Sequence, residues 1–136
     1  MSGIYDKARE KYLISNGDFD ADTVKVVPVD ATYVYAQTHQ FLSQVLAGTR
    51  CATPVALAGK TGVDGIAQAN DVTFPAVAGG RTITGFVVYI DTGVEGTSTL
   101  LCYINKDSLG GSISFPTNGG DIVIRFGGGT KNIFRL

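Results

Sequence analysis

Ala58-Gly59-Lys60-Thr61 carries the closing residues of a phosphate-binding loop, where a lysine reaches the phosphates and a hydroxyl holds magnesium. The full pattern needs a glycine five places before Gly59. Pro54 stands there and no helical periodicity follows, so the backbone donors that cradle phosphate are missing and a turn with a lysine on its rim is expected. Asp18-Phe19-Asp20-Ala21-Asp22 sets carboxylates at alternate positions, as a hard cation requires. The sixth position of such a loop is Thr23 rather than glycine, and the twelfth is Val29 rather than glutamate. The expected role is a connection whose aspartates form local turns. His39 is the only histidine, and the nucleophile candidates Ser43, Cys51 and Cys102 lack any elbow or family signature around them. Asp64, Asp71 and Asp91 could supply a glycosidase pair, but no tryptophan exists to stack a sugar. The expectation is a protein that is not an enzyme, with no catalytic residue, no cofactor and no metal site. The cysteines have no metal-ligand spacing. Either they pair, closing a long loop worth up to ~4 kcal/mol, or they pack as two small hydrophobes in a reducing cytosol.

The composition fits this reading. The chain has 136 residues, one domain's worth, with an expected folded surface of roughly 6,800 Å². Eleven basic residues face twelve acidic ones, for a net charge of -1. That balance argues against nucleic-acid binding, which needs a basic face. Charged residues are only 17% and the mean hydropathy is +0.17, so part of the surface is expected to be covered by a partner. No stretch approaches the ~18 apolar residues of a membrane span, and the charged opening lacks the apolar core of a signal peptide.

The periodicity assigns most of the chain to β structure. Residues 4–13 predict a short amphipathic helix, with Tyr5, Ala8 and Tyr12 on one face and Asn16-Gly17 as its stop. Residues 23–29 are β-branched and predict a strand; Pro28 cannot donate to a ladder, so the strand should end, bulge or lie on an edge there. Phe41, Leu42, Val45 and Leu46 make a helical stripe over 38–46. Further strands are predicted at 53–58, 65–69, 72–74, 82–91, 98–105, 112–115, 121–126 and 132–136. The near-continuous apolar run Phe86-Val87-Val88-Tyr89-Ile90 should be buried on both faces. Glycine-rich turns separate these strands at the spacing of a sandwich or barrel. The fold class is therefore mainly β, a jelly-roll-like antiparallel β-sandwich with one or two short N-terminal helices. A helical arm over 1–22 should precede a sandwich over 23–136.

Aromatic residues cluster in the first quarter. Tyrosine suits interfaces, because it offers contact area at little entropic cost. The candidate interface is Ile4, Tyr5, Tyr12, Leu13 and Phe19 on the arm, with Tyr33 and Tyr35; the competing expectation is that the aromatics close the open end of the sandwich.

The order of motifs resembles a known family. A charged opening helix (Tyr5-Asp6-Lys7-Ala8-Arg9-Glu10) precedes Asp18-Phe19-Asp20-Ala21-Asp22-Thr23 and a valine-rich strand. Thr38-His39-Gln40-Phe41-Leu42 and Leu57-Ala58-Gly59-Lys60-Thr61 follow, and Asn118-Gly119-Gly120-Asp121-Ile122 and Lys131-Asn132-Ile133-Phe134-Arg135-Leu136 close the chain. Across nearly its whole length this resembles small virion proteins of tailed bacteriophages, in particular the jelly-roll cement or decoration proteins on the outside of the capsid. The resemblance implies a structural protein made in the host bacterial cytoplasm and placed on the virion exterior. Its partners would be the major capsid protein and further copies of itself, as dimer or trimer, with no nucleic acid and no membrane. It implies no catalytic residues. Two other readings stay open: a tail, neck or fibre-associated virion protein, and a jelly-roll carbohydrate-binding module for host attachment.

Overall fold

Valine-rich and aromatic runs form the centre of the molecule. The structure is a computed structural model that describes residues 3–14 and 18–135. Its strands are β1 (Gly3–Ile4), β2 (Val24–Val29), β3 (Val55–Ala56), β4 (Thr61–Val63), β5 (Ile66–Gln68) and β6 (Val72–Phe74), then β7 (Thr82–Ile83), β8 (Gly85–Ile90), β9 (Leu100–Ile104), β10 (Phe115–Pro116), β11 (Ile122–Ile124) and β12 (Asn132–Arg135). The α-helix among the described residues is α1 (Asp6–Leu13). The main sheet has the order β1-β9-β8-β2-β3, and every pairing in it is antiparallel. Three smaller sheets accompany it: β10-β7, β11-β6 and β12-β5-β4. The protein is thus mainly β and sandwich-like, with a folded surface of 6962 Å², close to the expected area.

The pairing register sorts the main sheet into two faces. Partners across a ladder point the same way. Val27, Val87 and Tyr103 therefore share one face, and Val26, Val88 and Cys102 share the other. All six residues of β8 are buried, which is the two-sided burial its apolar run predicts. On the first face Tyr103 stacks against Tyr35, and Tyr33 meets the Tyr103 ring edge-on. On the second, Phe86 stacks with Phe74 of β6, which joins the β11-β6 sheet to the main one.

β2 ends at Val29, one residue past Pro28, which is one of the three outcomes expected for the proline, and Pro28 is tolerated although β2 itself lies between β8 and β3. The reason is parity. Leu57 N–H donates to the Val24 carbonyl and Cys51 N–H to the Pro28 carbonyl, so alternate residues of β2, Pro28 included, direct their backbone polar groups towards β3. β3 pairs only with Lys25 and Val26, and an isolated bridge joins Val29 to Arg50. Opposite the Pro28 nitrogen no regular ladder runs, so no hydrogen bond is lost.

The helix expected over 38–46 is absent. Phe41 is extended and bridges Thr99, Leu42 N–H donates to the Ser98 carbonyl, and Leu100 N–H donates to the Gln40 carbonyl. These groups bond to the entrance of β9 instead of to one another. Only 3-10 turns at Leu42–Gln44 and Ala47–Thr49 remain. The helical spacing is satisfied in another way: Leu42 and Val45 are buried, while Leu46 points into solvent. Asn16-Gly17, the expected helix stop, lies outside the described residues. The strand expected at 65–69 is the second arm of a hairpin, β4-β5. Its turn is Asp64-Gly65, both at positive φ, the conformation of a type I′ hairpin.

Candidate functional site

The N-terminal arm is inserted into the body rather than laid on it. β1 pairs with β9, Tyr5 N–H donates to the Leu101 carbonyl, and Asp6 N–H donates to the Gln37 carbonyl. Asp6 in the first turn of α1 and Lys11 in the last complement the helix dipole. Tyr5 is completely buried; its hydroxyl lies 2.7 Å from that of Tyr33, which in turn lies 3.0 Å from His39 Nδ1. The Tyr5 ring meets Tyr35 edge-on. Burial pushes the Tyr5 and Tyr12 hydroxyls well above the usual tyrosine range, and Tyr33 up to about 12.

This corrects the candidate interface. Ile4, Tyr5 and Tyr33 are core residues and present no surface to a partner. Tyr12, Phe19 and Tyr35 are half-buried against that core, Phe19 in edge contact with Phe134. Leu13 alone of the seven is freely exposed, at 85%. Tyr33 and Tyr35 gather instead around Tyr103 on one face of the main sheet, with Tyr5 against both of them, a place that neither expectation gave these aromatics.

The residues with chemical potential are held by structural bonds. Lys60 donates to the Asp22 carbonyl and sits 5.9 Å from the Phe19 ring centre, so the lysine of the phosphate-loop look-alike pins the Asp18 turn instead. Asp18 Oδ1 accepts the Asp20 and Ala21 N–H groups, and Asp22 Oδ2 accepts the Asp18 N–H, the local turns expected of this segment. Among the described residues no three of His, Cys, Asp and Glu come together to hold a metal ion. Cys51 and Cys102 are both buried and unpaired, and burial raises both thiols.

Two arginines that sequence reasoning passed over tie the 41–50 segment down. Arg50 donates to the Val45 and Leu42 carbonyls and pairs with Glu95 at 2.6 Å. Arg81 pairs with Asp30 and donates to the Arg50 and Gly48 carbonyls. A lone arginine in sequence carries no sign of such multiple carbonyl bonding.

The surface carries two further features. An open groove of about 330 Å³ runs between α1 and the 40–41 segment, with Lys7, Lys11, Ile14 and Phe41 among its walls. The loop after β9 is tightly built. Asp107 Oδ1 accepts the N–H groups of Leu109 and Gly111 at 2.9 and 2.8 Å. Asp107 N–H donates to the Gly111 carbonyl and Gly110 N–H to the Asp107 carbonyl. Below them Lys106 bridges Ser112, and Ile113 N–H donates to the Asn105 carbonyl. Leu109 stands at the tip, 95% exposed.

Fold and site together define an antiparallel, sandwich-like β protein in which Lys60, Arg50, Arg81, Asp18 and Asp107 hold its loops. No protein-family model and no curated protein matches the chain.

Proposed function

We propose that this chain is a bacteriophage capsid cement (decoration) protein. It binds the outside of the shell formed by the major capsid protein and stabilises the head. The order of sequence motifs supports the reading. The structural observation that carries it is the occupation of the reactive side chains: Lys60, Arg50, Arg81, Asp18 and His39 all serve internal contacts, and both thiols are buried. A cement protein needs a stiff body and adhesive surface, not a reacting centre. It stabilises a shell by mass action, because it binds assembled subunits and not dispersed ones. Summed over many sites, a modest affinity per copy suffices. The near-neutral charge suits a protein partner better than nucleic acid. Self-association as a dimer or trimer on the shell belongs to the same proposal.

The test is quantitative mass spectrometry of finished particles of the phage that encodes the chain, with cryo-electron microscopy of those particles. Cement requires a copy number approaching that of the shell protein and density on the outer surface. A few copies per particle, located at the tail or neck, would replace this reading with the tail one. Complete absence from particles would end both.

A further inference from the structure

Three polar groups meet in a row beneath the N-terminal arm. The Tyr5 hydroxyl lies 2.7 Å from the Tyr33 hydroxyl, which lies 3.0 Å from His39 Nδ1. Tyr5 is completely buried and Tyr33 nearly so, and neither hydroxyl has another hydrogen-bond partner among the described residues. His39 is the half-buried end of the row. Two contacts have room for two hydrogens. With Nδ1 bare the count closes: Tyr5 donates to Tyr33, Tyr33 donates to Nδ1, and the neutral imidazole carries its hydrogen on Nε2. A proton on Nδ1 brings a third hydrogen. The imidazolium then donates to Tyr33, Tyr33 turns to donate to Tyr5, and the Tyr5 hydrogen has no acceptor. Every other placement of three hydrogens over two contacts orphans one of them as well, and an unpaired polar group in the interior is costly.

The surroundings do not offset that cost. Tyr103 of β9 meets the Tyr33 ring edge-on, and Tyr35 stacks on Tyr103, so the neighbours on this face are neutral phenols. Asp6, whose N–H donates to the Gln37 carbonyl, pairs its carboxylate with Arg9. Lys7, Glu10 and Lys11 line the groove with Gln40, and Glu10 is paired with Lys7. Among the described residues no carboxylate forms an ion pair with His39. We infer that His39 is a pH switch on the N-terminal arm: its protonation reverses the hydrogen-bond row, strips Tyr5 of its acceptor and makes the arm open more readily. The orphan is relieved when Tyr5 leaves its place. That gives up the Tyr5–Leu101 and Asp6–Gln37 backbone bonds and bares the edge of β9 that β1 covers. The closed arm favours the neutral ring, so its hold is complete above the histidine range and is lost as pH falls through that range. The switch lies in the chain's own interior and stands apart from the cement reading.

The experiment is native-state hydrogen exchange of the full chain at the Tyr5 and Asp6 amides, corrected for intrinsic rates, between about pH 8 and pH 5. Protection in the wild type should fall by about 5- to 100-fold over that span. His39→Asn places an amide oxygen where Nδ1 stands and does not titrate, so its protection should stay level. Nitrogen-15 shifts of the ring, read in the wild-type protein without any substitution, should show the Nε2–H tautomer at pH 8. The chain's single histidine makes that signal unambiguous. Level protection in the wild type, an equal fall in His39→Asn, or an Nδ1–H tautomer would each overturn the switch.

Discussion

The hydroxyl of Tyr5, on the N-terminal arm, and that of Tyr33, on the loop after β2, share a 2.7 Å hydrogen bond in the interior of the protein. It joins two segments 28 residues apart, and Tyr33 alone of the pair has a second partner, His39. The arm is therefore fastened by polar as well as apolar contact.

The asymmetry sets the outcome of a double-mutant cycle. Tyr33→Phe leaves the buried Tyr5 hydroxyl without a partner and should cost about 1–3 kcal/mol. Tyr5→Phe leaves Tyr33 bonded to His39 and should cost about 0.5–1.5 kcal/mol. The double variant should be less destabilised than the two losses added together, because no orphan remains. Urea denaturation of the four proteins measures this; strict additivity would show that the bond contributes nothing.

Acid should unfold the protein through three carboxyls. The Lys25 ammonium, 2.8 Å away, and the Gly93 N–H hold Asp91 below its ordinary 3.8. Burial pushes Asp30 upward, but hydrogen bonds from Thr32 and Arg81 outweigh it and the net direction is down. The Arg50 hydrogen bond lowers Glu95 below its ordinary 4.5. Each group binds its proton less readily folded than unfolded. Its stabilisation is complete above the unfolded values and is lost as pH falls through the lowered ones. These carboxyls should leave the urea midpoint level above about pH 5 and make it fall steeply below about pH 4. Asp91→Asn should flatten part of that fall.

Base should act in the opposite sense through the tyrosines. Burial pushes Tyr33 and Tyr89 up to about 12, and Tyr5 and Tyr12 upward as well. Their neutral forms are favoured by the fold, so stability holds below the ordinary value of 10.0 and is lost as pH rises through the raised ones. Tyrosinate absorbance should rise late and together with loss of the near-ultraviolet circular dichroism. A gradual titration that precedes unfolding would show that these hydroxyls meet solvent.

Gly85 is required by Tyr103. A Cβ at position 85 would lie 2.5 Å from the Tyr103 ring, which is itself stacked on Tyr35 at 5.2 Å. Gly85→Ala should cost about 1–3 kcal/mol by overpacking. In a Tyr103→Ala background the same change should cost much less. Thermal melts of the single and double variants decide it; an equal cost in both backgrounds would place the strain elsewhere.

The strands were the most legible part of the chain, because burial imposes its pattern directly. The apolar run of β8 and the alternation of β6, with Val72 and Phe74 buried and Thr73 exposed, can be read from residue types alone. The 38–46 segment misleads because a helix and a chain alternately anchored on β9 can bury the same leucine and valine. Only the backbone partners distinguish them, and those lie some sixty residues away at Ser98 and Thr99. The Asp64-Gly65 turn was a usable signal for β4 that strand periodicity alone overlooks. The tyrosines mislead for a related reason. Aromatic surface suits a partner and a neighbouring sheet equally, and sequence does not say which arrives first.

The interruption opposite Pro28 also bears on how the molecule behaves among its own kind. The border of the main sheet beyond β2 consists of two brief contacts, at Val55–Ala56 and at Arg50, with a stretch between them that follows no ladder. A neighbouring chain seeking to extend the sheet there finds no continuous row of donors and acceptors to copy. On this border, two copies brought side by side meet through side chains rather than by pairing strands.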